Sequence, residues 1–485
     1  MSRRIALVSD VHGNLPALEA ALADARSRGA GAVWNLGDFV GYGPQGDRVV
    51  RLLRKLAEAA IRGNYDRKVL RFPEKRKKWR RKKDPEKFLA FQQAWEDLSD
   101  PSRKYLAELP GELRHMEQHL RVLLVHGSPA ADDEPLGPDT PARRLAELAR
   151  MAEADLVFCG HTHRAWMKRS GRTWFVNPGS VGRPEGLDCR AAYAVLDFAD
   201  GRWGVEFHRV PYDVDRVARA LRRAGMPDDF SRMLREGRNL DQVHATRKHP
   251  QTPDDGSEMP DDGSRFHRDD SSRSSPFTPC CPKCLLRTPC PPRAAPLLRA
   301  ALHLARRCDY EQEHSHQVTR LALSLLDSLQ PLLVLTADDR LLLHCGALLH
   351  DIGWMEGQKA HHKTAMRIIL ADETLPLDAE RRRLVALIAR CHRKAPPAAD
   401  DPDLSGLSPG VRRRALLLGG IVRIADGLDY SHRSLARLAA CHISPGRISV
   451  ICRGIAPGGA EASAATKKAD LLSAVLSWSV EILPA

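Results

Sequence analysis

The sequence predicts an α/β layered domain, a polar linker, and an all-helical domain with a small mixed C-terminal extension. Three observations predict it. Short apolar runs at 4–9 and 31–36 each end in a Gly- or Asp-rich loop and lead into a helical pattern, the alternation of a layered α/β fold. From about 246 to 294 the chain turns to Pro, Asp, Ser and Gly and repeats "PDDGS" at 253–257 and 260–264, the composition of a disordered linker. Beyond 295, apolar residues recur at three- and four-residue steps. A chain of 485 residues is too long for one ordinary core, and the boundaries fall at 1–240, 241–294 and 295–485.

In chain order, the first helical patterns are "LPALEAALADARSRG" and "DRVVRLLRKLAEAA". Strands follow at "LRVLLVHG", "ADLVFCGH", "TWFVNPGS" and "RAAYAVLDF". One or two helices in "DVDRVARALRRAGMPDDFSRMLREG" close the first domain near 240. The helical domain reads "PLLRAALHLARRC", "HSHQVTRLALSLLDSL", "DDRLLLHCGALLHDIG", "AERRRLVALIARCHRK" and "RRRALLLGGIVRIADGLDY". Gly353 is a suitable residue to end the third of these helices. The last 45 residues hold two short strands.

A net charge of +14 and a pI near 9.4 favour anionic partners. The densest basic run is Lys75–Lys83, "KRKKWRRKK", where Trp79 is the one uncharged residue. It reads either as a grip on nucleic acid, with Trp79 stacking on a base, or as a solvated charged helix. No apolar run approaches the ~18 residues of a membrane span. Asp10 and His12 interrupt the first apolar run before it reaches the length of a leader peptide, so a cytoplasmic protein is expected. The eleven cysteines are mostly single and scattered, which fits a reducing compartment. Cys280, Cys281, Cys284 and Cys290 cluster in the linker, as a zinc site or as an oxidisable tail.

The chemistry-bearing residues of the first domain stand at strand ends: Asp10, His12, Asp38, Asn64, His126, His161 and His163. "SDVHGN" and "GHTH" each place two ligands two residues apart, a spacing that in an extended loop points both side chains to one side. Ligands gathered from the carboxyl ends of several strands converge on one sheet edge. Two Asp, four His and one Asn make a mixed O/N set suited to Mn, Fe, Zn, Co or Ni. Seven ligands suit two ions bridged by a carboxylate.

The ordered motifs "DVHGN", "GDFVGYGP", "GNYD", "VHGSP", "GHTH" and "NPGS" resemble the calcineurin-like metallophosphoesterase superfamily, in its small bacterial and archaeal phosphodiesterase branch. The resemblance covers about residues 3–240 and implies a double-sheet α/β/β/α sandwich. It implies that Asp10, His12, Asp38 and His163 hold one metal, and that Asp38, Asn64, His126 and His161 hold the other, with Asp38 bridging. It further implies that Asn177, Gly179 and Ser180 of "NPGS" line the site as substrate-binding residues. Where the family most often has a His after the Asn, to protonate the leaving oxygen, this chain has Tyr65. A phenol with pKa near 10 is poorly matched to that task at pH 7, so Tyr65 reads either as the acid or as a packing residue at the rim. Asp66 beside it reads as a catalytic carboxylate acting by orienting a neighbour.

In the helical domain, His314, His350, Asp351 and Asp426 sit in apolar helices, where a carboxylate is costly unless paired or metal-bound. "HSHQV" sets His314 on the face of Val318, and His316 is expected to be exposed. The four suit one divalent ion, Mn, Mg, Fe or Zn, and His361, His362 and His392 can add a second. "HSHQV", "LHDIG", "HHK", "ARCHRK" and "RIADGLDYSH" resemble an HD-type phosphohydrolase site, specifically the C-terminal helical module of the Ppx/GppA family, over about 295–485. The actin-like domain that carries polyphosphate chemistry in that family is not matched here, so that activity does not carry over.

Together these features predict a dinuclear-metal phosphoester hydrolase with a second domain that acts on, or senses, a phosphorylated nucleotide. Two other readings stand beside it: a nucleic-acid phosphodiesterase gripping through 75–83, and a regulatory protein with an alarmone- or polyphosphate-sensing second domain. No membrane partner is expected, and a homo-oligomer is possible.

Overall fold

The computed structural model describes residues 3–186, 188–199, 201–248, 295–395, 397 and 401–485. Strand β1 (Arg3–Val8) carries "IALV" with both faces buried. Ile5 and Leu7 face one way, into a core shared with Val122, Leu124, Phe158 and Val176. Ala6 and Val8 face the other, against Leu18, Ala21 and Leu22 of helix Leu15–Ser27. This strand alternation is what lets one sheet be covered on both sides.

The other strands are β2 (Ala32–Asn35), β3 (Ala57–Ala60), β4 (Glu112–Glu117), β5 (Leu120–Val125), β6 (Leu156–Phe158), β7 (Ala165–Ser170), β8 (Thr173–Pro178), β9 (Ala191–Ala199) and β10 (Arg202–Val210), then β11 (Arg437–Ser444), β12 (Arg447–Arg453) and β13 (Ser479–Pro484). They form an eight-stranded sheet, β13-β12-β11-β10-β9-β1-β2-β3, and a five-stranded sheet, β4-β5-β6-β8-β7. The outer face of the second sheet packs Leu123, Val157 and Phe175 on Leu145 and Leu148 of helix Ala142–Ala152. The result is the expected helix/sheet/sheet/helix sandwich, followed by a largely helical region with a small β extension.

That extension is built into the first sheet. β11 joins β10 antiparallel through Val205 and Ile443. Helix Gln312–Leu333 lies against β7, β10 and β11. At the seam, Asp327 of this helix accepts from Arg190 Nη2 at 2.9 Å and Arg340 Nε at 2.9 Å, and Arg190 also binds Asp188 at 2.7 Å.

Several local expectations change. "AEAA" at 57–60 continues the preceding helical pattern, yet it is β3, because parallel pairing with β2 outweighs the helix propensity of its alanines. Residues Leu240–Lys248 form a helix where the linker was expected to begin. The last 45 residues hold strands β12 and β13 and the second half of β11, plus two helices, Ala460–Lys468 and Asp470–Leu476. The helix before His350 ends at Leu348. Gly353 instead lies in a 3-10 turn where a Cβ would meet the His361 carbonyl oxygen at 2.0 Å. His316 is buried, its ring nitrogen 2.9 Å from the Tyr310 hydroxyl, so it is not an exposed residue. The basic run is helix Phe72–Lys82, whose Trp79 packs 4.9 Å from Phe91 and under the Lys83 ammonium; this indole is already engaged within the protein. Cys280, Cys281, Cys284 and Cys290 lie outside the described residues. Among the described residues, no helix is long and apolar enough to cross a membrane.

Candidate metal centres

All seven candidate residues of the first domain follow carboxyl ends of parallel strands: Asp10 and His12 after β1, Asp38 after β2, Asn64 after β3, His126 after β5, His161 and His163 after β6. The backbone of five of them is not extended. Asp10, His12, Asp38, His161 and His163 have φ of 53°, 49°, 54°, 67° and 57°. Left-handed backbone at a residue with a side chain costs energy and persists where surroundings hold it, typically at functional sites. Here the loops hold one another: Asp10 N donates to Gly37 O at 3.1 Å and His12 N to Asp38 O at 2.9 Å. Gly63 and Gly160 must be glycine, since a Cβ would sit 2.2 Å from Asp38 Oδ1 and 2.1 Å from Ser9 Oγ, respectively.

The side chains converge. His163 Nε2 and His126 Nε2 lie 3.3 Å and 3.9 Å from Asp10 Oδ1, and His126 Nε2 lies 3.3 Å from Asp38 Oδ2. His12 Nε2 is 3.7 Å from Asp38 Oδ2. Three imidazoles turn Nδ1 to a backbone carbonyl: His12 to Val40, His126 to Leu36 and His163 to Arg183. A carbonyl only accepts, so Nδ1 carries the hydrogen and Nε2 presents a lone pair when the ring is neutral. His12 Nε2 and His163 Nε2 then face each other as two acceptors 3.0 Å apart. A cation between them resolves that conflict.

Three more atoms fit a cation. Asp10 Oδ1, Asn64 Oδ1 and His126 Nε2 are buried without a hydrogen-bond partner, a state that costs energy unless an ion satisfies them. Burial disfavours the imidazolium at His126, but Asp38 and then Asp10 outweigh it and push the pKa up to about 10, so a cation taken at Nε2 displaces a proton there. At His12 burial prevails and the pKa falls to about 3. The His161 ring lies 5.3 Å from that of His126, and its backbone N–H donates to Asp10 Oδ2.

The remaining candidates brace this cluster. Asp66 accepts from the backbone N–H groups of Val40 and Gly63, tying two ligand loops together; burial, then Asp38, raises its pKa to about 8. With both oxygens so engaged, Asp66 acts on the loops. Asn177 donates to Gly160 O and Thr162 Oγ1 and accepts from Gly179 N, while Ser180 donates to Asp10 O. Asn177 and Ser180 are fully buried, and these bonds tie them to the ligand loops.

The helical region builds a second centre on the same plan. Asp351 stands in the middle. Its Oδ1 lies 3.2 Å from His361 Nε2 and 3.3 Å from His392 Nε2; its Oδ2 lies 4.0 Å from His314 Nε2. Asp426 Oδ1 is 3.3 Å from His314 Nε2 and 3.9 Å from His350 Nε2. Nδ1 of His350, His361 and His392 faces the carbonyls of Ala347, Gln358 and Ala389, and that of His314 faces Asp429. His361 and His392 oppose Nε2 to Nε2 at 3.0 Å, as His12 and His163 do. His362, its ring 6.3 Å from His392, stands outside the group. Two triads, His314–His350–Asp351 and Asp351–His361–His392, thus share one carboxylate.

Sequence reasoning missed the residues that orient these ligands. Glu185 Oε1 lies 3.6 Å from His163 Nδ1 and accepts from Arg183 at 2.8 Å. The Lys468 ammonium bonds Asp426 Oδ2. Asp429 had a signal, three residues after Asp426 in the turn that ends its helix; Glu185 and Lys468 stand in no motif.

The fold and the clustered ligands define a metal-dependent phosphoester hydrolase. The chain carries a calcineurin-like phosphoesterase superfamily domain over residues 4–201, fused to Ppx/GppA phosphatase domain III over 298–444. A metallophosphoesterase of Sphaerobacter thermophilus is 30% identical over 49% of this chain and 100% of its own, with a TM-score of 0.41. An uncharacterised protein of Methanocaldococcus jannaschii is 28% identical, covering 48% of this chain and 98% of the relative. Phosphodiesterase YfcE of Escherichia coli is 26% identical over 40% of this chain and 87% of its own.

Proposed function

We propose that the protein is a bifunctional metallohydrolase whose first centre cleaves phosphodiesters and whose second acts on a phosphorylated nucleotide. In this reading Asp10, His12, Asp38 and His163 hold one ion, and Asp38, Asn64, His126 and His161 the other, Mn, Fe, Zn, Co or Ni being suited to the donors. Two such ions, when bound, supply Lewis acidity and an activated nucleophile for in-line displacement. The carrying observation is the pair of buried imidazoles, His12 and His163, with Nδ1 fixed on carbonyls and Nε2 facing Nε2. Carbonyl-anchored Nδ1 atoms orient the rings for metal.

Tyr65 directs the substrate class. Burial, then Tyr42, raises its pKa well above 10, so it is a poor donor to a leaving group. The reading therefore favours diesters with acidic leaving groups over monoesters, and the phosphodiesterase relative supports it. The seven cysteines outside the linker cluster are free, in keeping with a cytoplasmic protein.

The test is hydrolysis of bis-p-nitrophenyl phosphate by the full chain with Mn²⁺. Asp38→Ala should lower kcat/KM at least ~10³-fold and reduce bound metal, with the fold intact by circular dichroism. Full activity in that variant refutes the two-ion assignment.

A further inference from the structure

We propose that Lys468 and Arg393 hold a chain of phosphoryl groups at the second centre, so that the C-terminal extension completes that site. This rests on reading the centre as a phosphoester site, and adds the residues that grip its substrate.

Lys468 lies beyond residues 298–444, the part matched by domain III. Its ammonium bonds Asp426 Oδ2, while Asp426 Oδ1 faces His314 and His350. The carboxylate is divided: one oxygen toward the imidazoles, the other toward a lysine one carboxylate's width away. The Lys468 side chain is 22% exposed against 11% for Asp426, so the lysine keeps more contact with solvent than the carboxylate it binds.

The fold holds Lys468 there. A Cβ on Gly427 would meet Ala465 Cα at 2.6 Å, so this glycine lets helix Ala460–Lys468 seat directly on the helix that carries Asp426. Two residues past Lys468, Asp470 takes a two-pronged contact from Arg423 at 2.7 and 2.9 Å.

Arg393 stands at the other triad. It follows His392 directly, and its Nη1 lies 3.3 Å from His361 Nδ1 and 3.5 Å from Nε2. Among the described residues it has no carboxylate partner. Once divalent ions occupy the cluster, metal charge alone exceeds that of Asp351 and Asp426. Two further cations are then not needed to balance the protein, and they suit a multiply charged anion that touches ions and side chains together. Trp354, 44% exposed and stacked 5.0 Å from His361, offers an aromatic face beside them. A nucleotide can use that face; an inorganic chain cannot.

The experiment uses the full chain bearing Asp38→Ala, which silences the first centre, loaded with Mn²⁺. Calorimetric titration with inorganic tripolyphosphate and with ATP is paired with metal analysis. Lys468→Met and Arg393→Met should each weaken tripolyphosphate binding ~10-fold or more with metal content unchanged, and Lys468→Arg should recover most of it. ATP binding tighter than tripolyphosphate by a margin that Trp354→Ala removes assigns the chain to a nucleotide. Equal binding assigns it to a free polyphosphate; with either source, loss of affinity in the Met variants at unchanged metal content is what supports the two cations as its grip. Unchanged affinity in both Met variants, or affinity lost only in step with metal, overturns the proposal and leaves the phosphoester reading intact. If the parent chain binds neither Mn²⁺ at this centre nor tripolyphosphate, that reading falls and takes the proposal with it.

Discussion

The Tyr65 hydroxyl lies 2.5 Å from that of Tyr42. The Tyr65 ring stacks on Phe91 at 4.9 Å and meets His12 edge-on at 5.3 Å. A side chain at Gly41 would collide with it, since a Cβ there lies 2.7 Å from Tyr65 Cδ1. The residue is thus packed and hydrogen-bonded, and burial raises its pKa, so in the proposed reading it leaves the leaving group unprotonated. Tyr65→Phe should change diester turnover by less than ~3-fold. Tyr65→His should raise kcat/KM on an alkyl monoester such as glycerol phosphate ~10- to 100-fold, because its alkoxide leaving group needs a proton and an imidazole near pH 7 is a better matched donor. Steady-state kinetics on both esters decides it, and a loss above ~100-fold in the Phe variant would make Tyr65 the acid after all.

Glu185 acts one step behind the first centre. It approaches His163 Nδ1 while binding Arg183, whose carbonyl takes the same nitrogen at 2.8 Å, and Asn239 holds its other oxygen at 3.3 Å. Removing such an outer partner loosens a ligand without deleting it. Glu185→Ala should weaken Mn²⁺ affinity ~10- to 100-fold, with kcat at saturating metal falling less. A metal titration of activity separates the two effects; an unmoved midpoint would assign Glu185 to packing alone.

The kinds of ligand were legible in the sequence because each motif couples a ligand to a residue its loop cannot change. Gly63 against Asp38 and Gly160 against Ser9 are such couplings. The backbone that aims the ligands was not legible. Spacing alone suggested an extended loop from Asp10 to His12, whereas left-handed turns at both residues do the aiming. β3 was hidden because its strand state comes from pairing with β2, a contact between distant segments. Lys468 was hidden for the same reason, standing 42 residues from the Asp426 it touches. Pattern reading sees neighbours along the chain, and these are neighbours only in the fold.

The seam between the sandwich and the helical region rests on Asp327. It receives Arg190 and Arg340, and its pKa is depressed because these cations outweigh its burial. Asp327→Asn leaves two guanidinium groups poorly compensated in a mostly buried place. It should lower stability by about 2–4 kcal/mol, seen as a fall in Tm by calorimetry. An unchanged Tm would show that the sandwich and the helical region do not rely on this contact.

His344 sets a pH limit on the helical region. It is buried in helix Ala337–Leu348, facing Arg340 and His316, and burial first, then these neighbours, holds its pKa down to about 3. An unfolded chain titrates the same imidazole near 6.5. Below pH 6.5 the unfolded state therefore takes up a proton that the folded state refuses. Stability present above that value is lost progressively as pH falls toward 3, by up to ~5 kcal/mol from this residue. Other buried histidines contribute to the same window, so the informative quantity is a difference. The urea midpoint should fall less steeply between pH 6.5 and 4 in His344→Leu than in the parent chain. Parallel profiles would mean that His344 is protonated, or freed to solvent, before the region unfolds.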